Sequence, residues 1–203
     1  AQKNKVDKFI FISSSEVYGE QKKFPINENS ELKNKSIYAT SKIVAEQYVR
    51  GFYQKFKLKF NIIRFFNVYG PGQKDNFVMS KFKKQIKLKK PLTVFGNGNQ
   101  IRSFCNVSDA VDGLIQVLEK GKPNETYNIG NNNEPISMSD LAKRFVKISD
   151  KNIKTKKIPY DKSDRSKSRE IFKRYPDLKR VFKDTKYRPK KDLNVGIKEL
   201  IDL

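Results

Sequence analysis

The sequence predicts an α/β fold built on a parallel sheet. Short apolar runs rich in β-branched and aromatic residues occur at 9–12, 60–66 and 126–129, and such runs are typical of buried parallel strands. Residues 38–55, after the first run, have the apolar spacing of a helix. A second predicted helix ends near residue 119, before the third run. Strands that alternate with helices are the pattern of a parallel sheet covered by helices.

The remaining elements are inferred from turn residues, helical spacing and capping residues. Ser137 is expected to cap one helix and Ser108 or Asp109 another, because these side chains accept hydrogen bonds from the free amides of a first helical turn. In chain order, the other predicted elements are a turn at 67–72, a helix at 77–88, a strand at 91–95, a turn at 96–100, a strand at 101–107, a helix through 146, a strand at 153–160, a loop at 161–175, and helices at 177–182 and 194–203.

Composition excludes several kinds of site. The 203 residues contain no histidine, which removes Ser-His-Asp catalysis, Cys-His catalysis and histidine metal sites. Cys105 is the single cysteine, so an internal disulfide is excluded, and its place in an apolar segment predicts a buried, inert thiol. No apolar run approaches the ~20 residues of a membrane span and no secretory signal is visible, so we expect a cytoplasmic protein without membrane contact.

The formal net charge of +22 suggests nucleic-acid binding, since strongly basic surfaces attract phosphate backbones. The basic residues, however, are mostly lysines spread along the chain, a usage that genome composition also produces. No helix-turn-helix, zinc-finger or RNA-recognition pattern is present. We therefore expect no specific nucleic-acid partner, and a basic nucleic-acid-binding module stays as an alternative.

A cluster of hydroxyl groups, a phenol and an ammonium is the strongest functional signal. Three serines at 13–15 end the first core strand, at the sheet edge where open α/β folds gather ligands. Tyr38 and Lys42 stand four residues apart, so a helix places them on one face. A nearby ammonium favours the phenolate form of a tyrosine. Tyr38 is then suited to take a proton from a substrate hydroxyl, while Ser14 hydrogen-bonds the same oxygen.

Five sequence blocks, in order, resemble the extended short-chain dehydrogenase/reductases, and more closely the NAD-dependent nucleotide-sugar epimerases, dehydratases and decarboxylases. The blocks are residues 9–19, 38–42, 62–72, 92–109 and 127–130. The resemblance implies the C-terminal part of a Rossmann-type parallel-sheet domain with a smaller α/β substrate-binding lobe, and NAD as cofactor. It places 1–70 and 101–130 in a partial NAD-binding lobe, and 71–100 and 131–203 in a nucleotide-sugar lobe.

The glycine-rich dinucleotide loop of that family is not found in the sequence. The two G-x-G pairs, at 70/72 and 96/98, are followed by Asp75 or Ile101 where the fingerprint requires its third glycine. Turn-making is the expected role of both pairs. We interpret the sequence as N-terminally truncated relative to the family, by roughly a third of the family's length, and expect the chain alone to bind NAD weakly.

The resemblance also implies roles for individual residues. A nucleoside diphosphate sugar carries two phosphates, and the planar fork of arginine suits phosphate oxygens. The implied catalytic residues are Ser14, Glu16, Tyr38 and Lys42. The implied cofactor-binding residues are Ser13, Tyr38, Lys42 and Phe66. The implied substrate-binding residues are Ser15, Asn67, Thr93, Phe95, Arg102 and Arg174, the last favoured over Arg165.

The enzymes of this family share one step, oxidation of the sugar C4 hydroxyl, for which the resemblance implies Tyr38 as base. The Ser15-Glu16 pair resembles decarboxylases and some dehydratases, and the missing Asp at position 15 argues against the dTDP-glucose dehydratase pattern. We therefore expect a UDP-sugar 4-epimerase or a UDP-glucuronate decarboxylase. The alternative within this resemblance is a catalytically incomplete fragment.

The resemblance further implies a homodimer in the full-length form. Dimers of this family pair through helices, one of which carries the Tyr/Lys pair. Either this contact or an ordinary core accounts for the apolar residues Ile43, Val44, Tyr48, Val49 and Phe52.

Overall fold

The computed structural model describes residues 1, 3–160 and 170–203. The strands are β1 (Phe9–Ser14), β2 (Phe60–Phe65), β3 (Val68–Tyr69), β4 (Leu92–Phe95), β5 (Ile101–Arg102), β6 (Cys105–Asn106), β7 (Glu125–Ile129), β8 (Ile136–Ser137), β9 (Thr155–Ile158) and β10 (Lys173–Arg174). The helices are α1 (Ile37–Phe56), α2 (Val78–Lys87), α3 (Val107–Lys120), α4 (Met138–Ser149), α5 (Lys179–Asp184) and α6 (Leu193–Asp202). A 3₁₀ turn, Ser15–Tyr18, follows β1.

The predicted parallel sheet is confirmed and has the order β1-β2-β7. Phe9 pairs with Phe60 at the start of the β1–β2 register, and all the pairings are parallel. Because side chains alternate along a strand, the sheet offers two distinct faces. α1 packs on one of them, whereas α3 and α5 contribute to an apolar core on the other, around Ile63 and Tyr127.

A second core lies beside the sheet, between α2, α4 and α6. The rings of Phe82 on α2 and Phe145 on α4 meet edge to face, with centroids 5.5 Å apart. β4 pairs with β9 alongside this core, and β5 lies between β10 and β8. Within residues 131–203, α5 packs back onto the central sheet, while α4 and α6 build the second core.

One predicted strand and one predicted cap are wrong. Residues 101–107 form two strands with different partners: β5 pairs with β10 and β8, and β6 pairs with β3. The chain changes sheets between them, which an apolar run does not reveal. The cap of α3 is Asn106, whose side chain accepts from the amide of Ser108. Asp109 accepts instead from the amides of Lys190 and Lys191, at 3.1 and 3.0 Å.

Other local predictions are confirmed. Ser137 caps α4 by accepting from the amide of Asp140 at 3.0 Å. Cys105 is buried, and burial raises the pKa of its thiol to about 12. Residues 161–169, including the candidate Arg165, lie outside the described residues, and part of the rest of that predicted loop forms β10. Among the described helices, none is both long enough and apolar enough to cross a bilayer.

Candidate active site

Tyr38 and Lys42 lie on one face of α1, as their spacing predicts. The helix begins after Ser36, whose hydroxyl accepts from the amide of Ala39 at 3.0 Å. The Lys42 ammonium is 5.8 Å from the centroid of the Tyr38 ring and donates to the carbonyl of Ile12 at 2.9 Å. Tyr38 is 50% exposed. The phenol and the ammonium therefore meet at the carboxyl end of β1, where the serine cluster begins.

The three serines do not share one environment, because the strand sends alternate side chains to opposite faces. Ser14 is partly buried, and its hydroxyl accepts from the amide of Glu16 at 3.2 Å. Ser13 is buried and donates to Glu46 at 2.6 Å, so its hydroxyl is directed into the protein. Ser15 is 1% exposed, which leaves its side chain no surface for a substrate.

Phe66, predicted to bind the cofactor, lies in a buried core. It is fully buried, and its ring lies 5.9 Å from the ring of Tyr18 in a core with Val17 and Ile26. Its side chain therefore has no exposed surface for a cofactor. A sequence run of aromatic residues at a strand end does not distinguish a ring that packs inward from one that lines a site.

A buried ionic network beneath the site was missed by the sequence analysis. Arg64 on β2 donates to both carboxylate oxygens of Glu46 on α1, with Nε 2.9 Å from Oε1. It also donates to the hydroxyl of Tyr18 at 2.9 Å. Burial alone would lower the pKa of Arg64, but the hydrogen bonds to Glu46 and Tyr18 raise it above its ordinary value. An arginine inside an apolar strand and a glutamate on the inner face of a helix are the sequence signals for this pair.

The Tyr18 hydroxyl extends the network to the third strand. It donates to Asn128 on β7 at 2.7 Å, and burial raises the pKa of this phenol despite the neighbouring Arg64. Glu46 also accepts the hydroxyl of Ser13 at the end of β1. The network thus ties α1 to all three strands of the sheet, which fixes the helix that carries Tyr38.

On the other side of the site, the structure brings together Asn67, Arg102 and Arg174, which we call the arginine cluster. Arg174 lies opposite Arg102 in the β10–β5 register and donates to the Asn67 side chain at 3.1 Å. Asn67 has a left-handed backbone, φ 40°, and donates to the carbonyl of Ser103 at 2.9 Å. Arg102 forms an ion pair with Glu170 at 3.2 Å.

Glu16 joins the two sides of the site. One of its oxygens is 3.9 Å from a terminal nitrogen of Arg174. The other accepts from the hydroxyl of Ser36, the cap of α1, at 3.4 Å. A continuous path of contacts therefore runs from the start of the helix that carries Tyr38 to the arginine cluster. We call Ser14, Tyr38 and Lys42 the catalytic edge.

Thr93 and Phe95 on β4 make their contacts with α2. The hydroxyl of Thr93 accepts from the Gln85 amide group at 3.0 Å, and its backbone amide donates to Gln85 at 3.2 Å. The Phe95 ring lies 4.5 Å from the ammonium of Lys81. The structure thus places both residues on a partly exposed strand, with the Thr93 hydroxyl already engaged.

The residues of the catalytic edge fit the reacting end of a dinucleotide, since they combine a hydroxyl, a phenol and a cation at a strand end. The G-x-G pairs do not fit its pyrophosphate. Gly72, Gly96 and Gly98 have positive φ and lie in turns. A Cβ at Gly96 would meet the Tyr160 ring, and one at Gly98 would meet Ser139, so side chains already fill this turn. The predicted turn-making role is confirmed for these three glycines.

Comparison with known proteins connects this arrangement to a family. The family described as "NAD dependent epimerase/dehydratase family" matches residues 1–130. Over 204 aligned residues the chain is 34% identical to the dTDP-D-glucose 4,6-dehydratase of Bos taurus, covering 100% of this chain and 57% of that protein. It is also 34% identical to UDP-glucuronic acid decarboxylase 4 of Arabidopsis thaliana, covering 94% of this chain and 43% of that protein.

A solved structure agrees with these relatives. UDP-glucuronic acid 4-epimerase from Bacillus cereus, in complex with UDP-glucuronic acid and NAD, matches with a TM-score of 0.89 and 31% identity. The match covers 98% of this chain and 61% of that one. The chain therefore spans between 43% and 61% of the lengths of these three proteins.

Proposed function

Because the chain belongs to the NAD-dependent epimerase/dehydratase family, we propose that it carries the catalytic residues and the substrate side of an enzyme that oxidises the C4 hydroxyl of a nucleotide sugar with NAD. The path of contacts from Ser36 through Glu16 to Arg174 is the observation that carries the proposal, since it puts the Tyr38 helix next to the arginine cluster. In this proposal, 1–70 and 101–130 belong to the dinucleotide lobe, and 71–100 and 131–203 to the substrate lobe.

The catalytic edge performs the proton transfer. Tyr38, as the phenolate, accepts the proton of the C4 hydroxyl, and the Lys42 ammonium on the same helix face stabilises the negative oxygen. Ser14 hydrogen-bonds the hydroxyl and holds it in line. NAD, when bound, supplies the hydride acceptor. Tyr38 would take the hydroxyl proton and bound NAD would accept the hydride, so that a C4 ketone would remain.

The arginine cluster binds the diphosphate. Arg102 and Arg174 lie side by side in the β5–β10 register, and the planar guanidinium group of an arginine suits phosphate oxygens. Asn67, hydrogen-bonded to Arg174, contacts the nucleotide sugar. Thr93 and Phe95 flank the base. UDP is the nucleotide that we assign to this site.

After oxidation, the proposal continues to a UDP-sugar 4-epimerase or a UDP-glucuronate decarboxylase, with Glu16 as the acid/base of the later step. The proteins similar to this chain carry both names. The two reactions share the ketone, so Tyr38 serves both. Incubation with UDP-glucuronate separates them, because decarboxylation releases carbon dioxide and epimerisation does not.

We also propose a cytoplasmic homodimer that forms through α1. Val44, Tyr48 and Phe52, one turn apart on this helix, are 47%, 67% and 43% exposed. A row of exposed apolar side chains on one helix face favours a contact with another helix. Sedimentation velocity checks the dimer, and Tyr48→Glu is expected to give monomers.

The test of the catalytic proposal is a chimaera in which the N-terminal dinucleotide-binding segment of a family member precedes this chain. With NAD and UDP-glucose or UDP-glucuronate, Tyr38→Phe is expected to lower turnover by about 10²–10⁴-fold, the usual contribution of a general base. Tyr53→Phe, on the same helix but outside the catalytic edge and the proposed dimer contact, is the matched control and should retain full turnover. Turnover by the Tyr38 variant within tenfold of the parent chimaera would reject Tyr38 as the base.

A further inference from the structure

We propose that Ser13 is a positioning residue, whose hydrogen bond to Glu46 fixes the place of α1 along β1. Tyr38 lies on that helix and Ser14 on that strand, so the bond sets the geometry in which these two residues meet a substrate. The effect on the reaction rests on the proposed function, whereas the alignment of helix and strand does not. Ser13 thereby receives a role other than the cofactor contact that its sequence position predicts.

Tyr38, Lys42 and Glu46 form one stripe along α1, since they stand at intervals of four residues. The second and third members of this stripe contact consecutive residues of β1. The Lys42 ammonium donates to the carbonyl of Ile12 at 2.9 Å, and Glu46 accepts from the hydroxyl of Ser13 at 2.6 Å. Two successive turns of the helix are thus bonded to two successive residues of the strand, which defines one alignment of α1 on β1.

The Glu46 carboxylate is bonded to a cross-strand pair. Ser13 on β1 and Arg64 on β2 are partners in the parallel register, and both donate to the same carboxylate oxygen, at 2.6 and 2.9 Å. The other oxygen accepts from Arg64 alone of these two residues. Glu46 is fully buried and Ser13 is 3% exposed, so water does not compete for either group. Arg64 therefore holds the helix on β2, and Ser13 holds it on β1.

The bond to β1 matters for the reaction because the reacting groups are divided between the two elements. Ser14 follows Ser13 on β1, and Tyr38 lies about two helical turns before Glu46 on α1. A displacement of α1 by one residue along its axis would move Tyr38 by about 1.5 Å relative to Ser14. A misplacement of about 1 Å can cost about 10²-fold in rate. Ser13 thus acts on the reaction through Glu46 and does not itself touch the substrate.

Lysine acetylation of the 203-residue chain, followed by peptide mass spectrometry, tests the alignment without any substrate. Ser13→Ala removes the bond to β1 and leaves Glu46 paired with Arg64, so we expect the variant to fold. Loss of the bond should loosen the contact between Lys42 and Ile12. We expect Lys42 to be acetylated about three- to tenfold faster than in the parent chain, the fold-change that corresponds to one lost hydrogen bond.

Lys8 is the internal reference for this measurement. It directly precedes β1 but donates to the carbonyl of Leu118 on α3, so a shift of α1 alone should leave its acetylation rate unchanged. Ser80→Ala is the matched control, because Ser80 is also a buried serine with one side-chain partner, Gln73, and lies on α2. This control should change neither the Lys42 rate nor the Lys8 rate.

Two results would overturn the inference. An unchanged Lys42 rate in folded Ser13→Ala would mean that Arg64 alone aligns the helix. An equal rise of the Lys42 and Lys8 rates would mean a general loosening of the protein. Circular dichroism checks that the variant is folded. If it is not, Ser13→Cys takes its place with the same expected rates, since a thiol is a weaker donor of similar shape.

Turnover separates this inference from the proposed function. In the chimaera with a dinucleotide-binding segment, Ser13→Ala should lower kcat by about 10- to 100-fold and leave KM for the UDP-sugar within about twofold, because the arginine cluster is unaltered. If the parent chimaera turns over and the variant keeps its kcat, the inference fails and the proposed function stands. If the parent chimaera is inactive and Lys42 responds as expected, the alignment by Ser13 stands and the proposed function fails.

Discussion

The catalytic edge and the arginine cluster differ in how far they are buried and in how firmly neighbouring groups hold them. Tyr38 is 50% exposed, whereas the Arg102 and Arg174 side chains are each 11% exposed and lie beside carboxylates. Packing and hydrogen bonds within the described chain hold the arginines in place, while the phenol stands on an open surface. Under the proposed function, the difference means that the diphosphate site is organised more completely than the site of proton transfer.

The largest expected effect comes from the buried network that holds α1, the helix of the catalytic edge, on the sheet. Arg64→Met leaves Glu46 as a buried carboxylate without its cation, and we expect it to lower the free energy of unfolding by about 3–5 kcal/mol. Urea denaturation followed by circular dichroism measures this change. Arg144→Met is the matched control, since Arg144 pairs with Glu134 at the surface, and it should cost less than about 1 kcal/mol. A similar cost for both variants would mean that the buried network does not support the site.

UDP binding tests whether the catalytic edge and the arginine cluster have different roles. Arg174→Gln removes charge-assisted hydrogen bonds to phosphate, and we expect UDP to bind about 10- to 100-fold more weakly. Tyr38→Phe should leave the affinity within about twofold, because the phenol acts on the sugar hydroxyl and not on the diphosphate. Calorimetry measures both, with Arg144→Gln as a surface control. If the Tyr38 variant lost as much affinity as the Arg174 variant, the two regions would not be functionally distinct.

Protein stability at alkaline pH tests the burial of Tyr69, which lies on β3, the strand that follows Asn67 of the arginine cluster. Burial raises the pKa of Tyr69 to about 12 from its ordinary value of 10.0. Between these values the unfolded chain releases the proton and the folded protein keeps it, so the free energy of unfolding falls as pH rises from 10 toward 12.

Tyr69→Phe removes the contribution of Tyr69 to this dependence, while the buried phenols of Tyr18, Tyr127 and Tyr187, whose pKa values burial also raises, keep theirs. We expect the loss of unfolding free energy between pH 10 and 12 to shrink by roughly 2 kcal/mol, as measured by urea denaturation across that range. A slope unchanged by Tyr69→Phe would show that the buried phenol does not resist ionisation.

The sequence predicted the elements whose signal is local. The apolar run at 60–66 became β2 because a central strand is buried on both faces, and Ser137 capped α4 because its hydroxyl reaches an amide three residues away. The shared face of Tyr38 and Lys42 followed from helix geometry alone. These features can be predicted without knowing which residues pack against them.

The features that the sequence did not predict depend on partners distant in the chain. The Glu46–Arg64 pair spans 18 residues and the Arg102–Glu170 pair spans 68, so neither forms a local pattern. The segment at 101–107 was predicted as one strand, because its composition does not show that β5 and β6 pair with strands of different sheets. The direction of the Ser13 hydroxyl depends likewise on Glu46, a residue of the following helix.

The smallest expected effect concerns the contact that joins the two regions. Ser36 caps α1 and donates to Glu16, and Ser36→Ala should cost about 1 kcal/mol of unfolding free energy, the usual value of a lost cap. Ser41→Ala is the matched control in the same helix: Ser41 donates to the carbonyl of Tyr38, and alanine there should be neutral or slightly stabilising, since it is the better helix former. Equal losses in the two variants would remove Ser36 as the specific anchor of the helix start. A loss confined to Ser36→Ala, measured by urea denaturation, would identify Ser36 as the residue that anchors the start of α1, the helix that carries the exposed Tyr38.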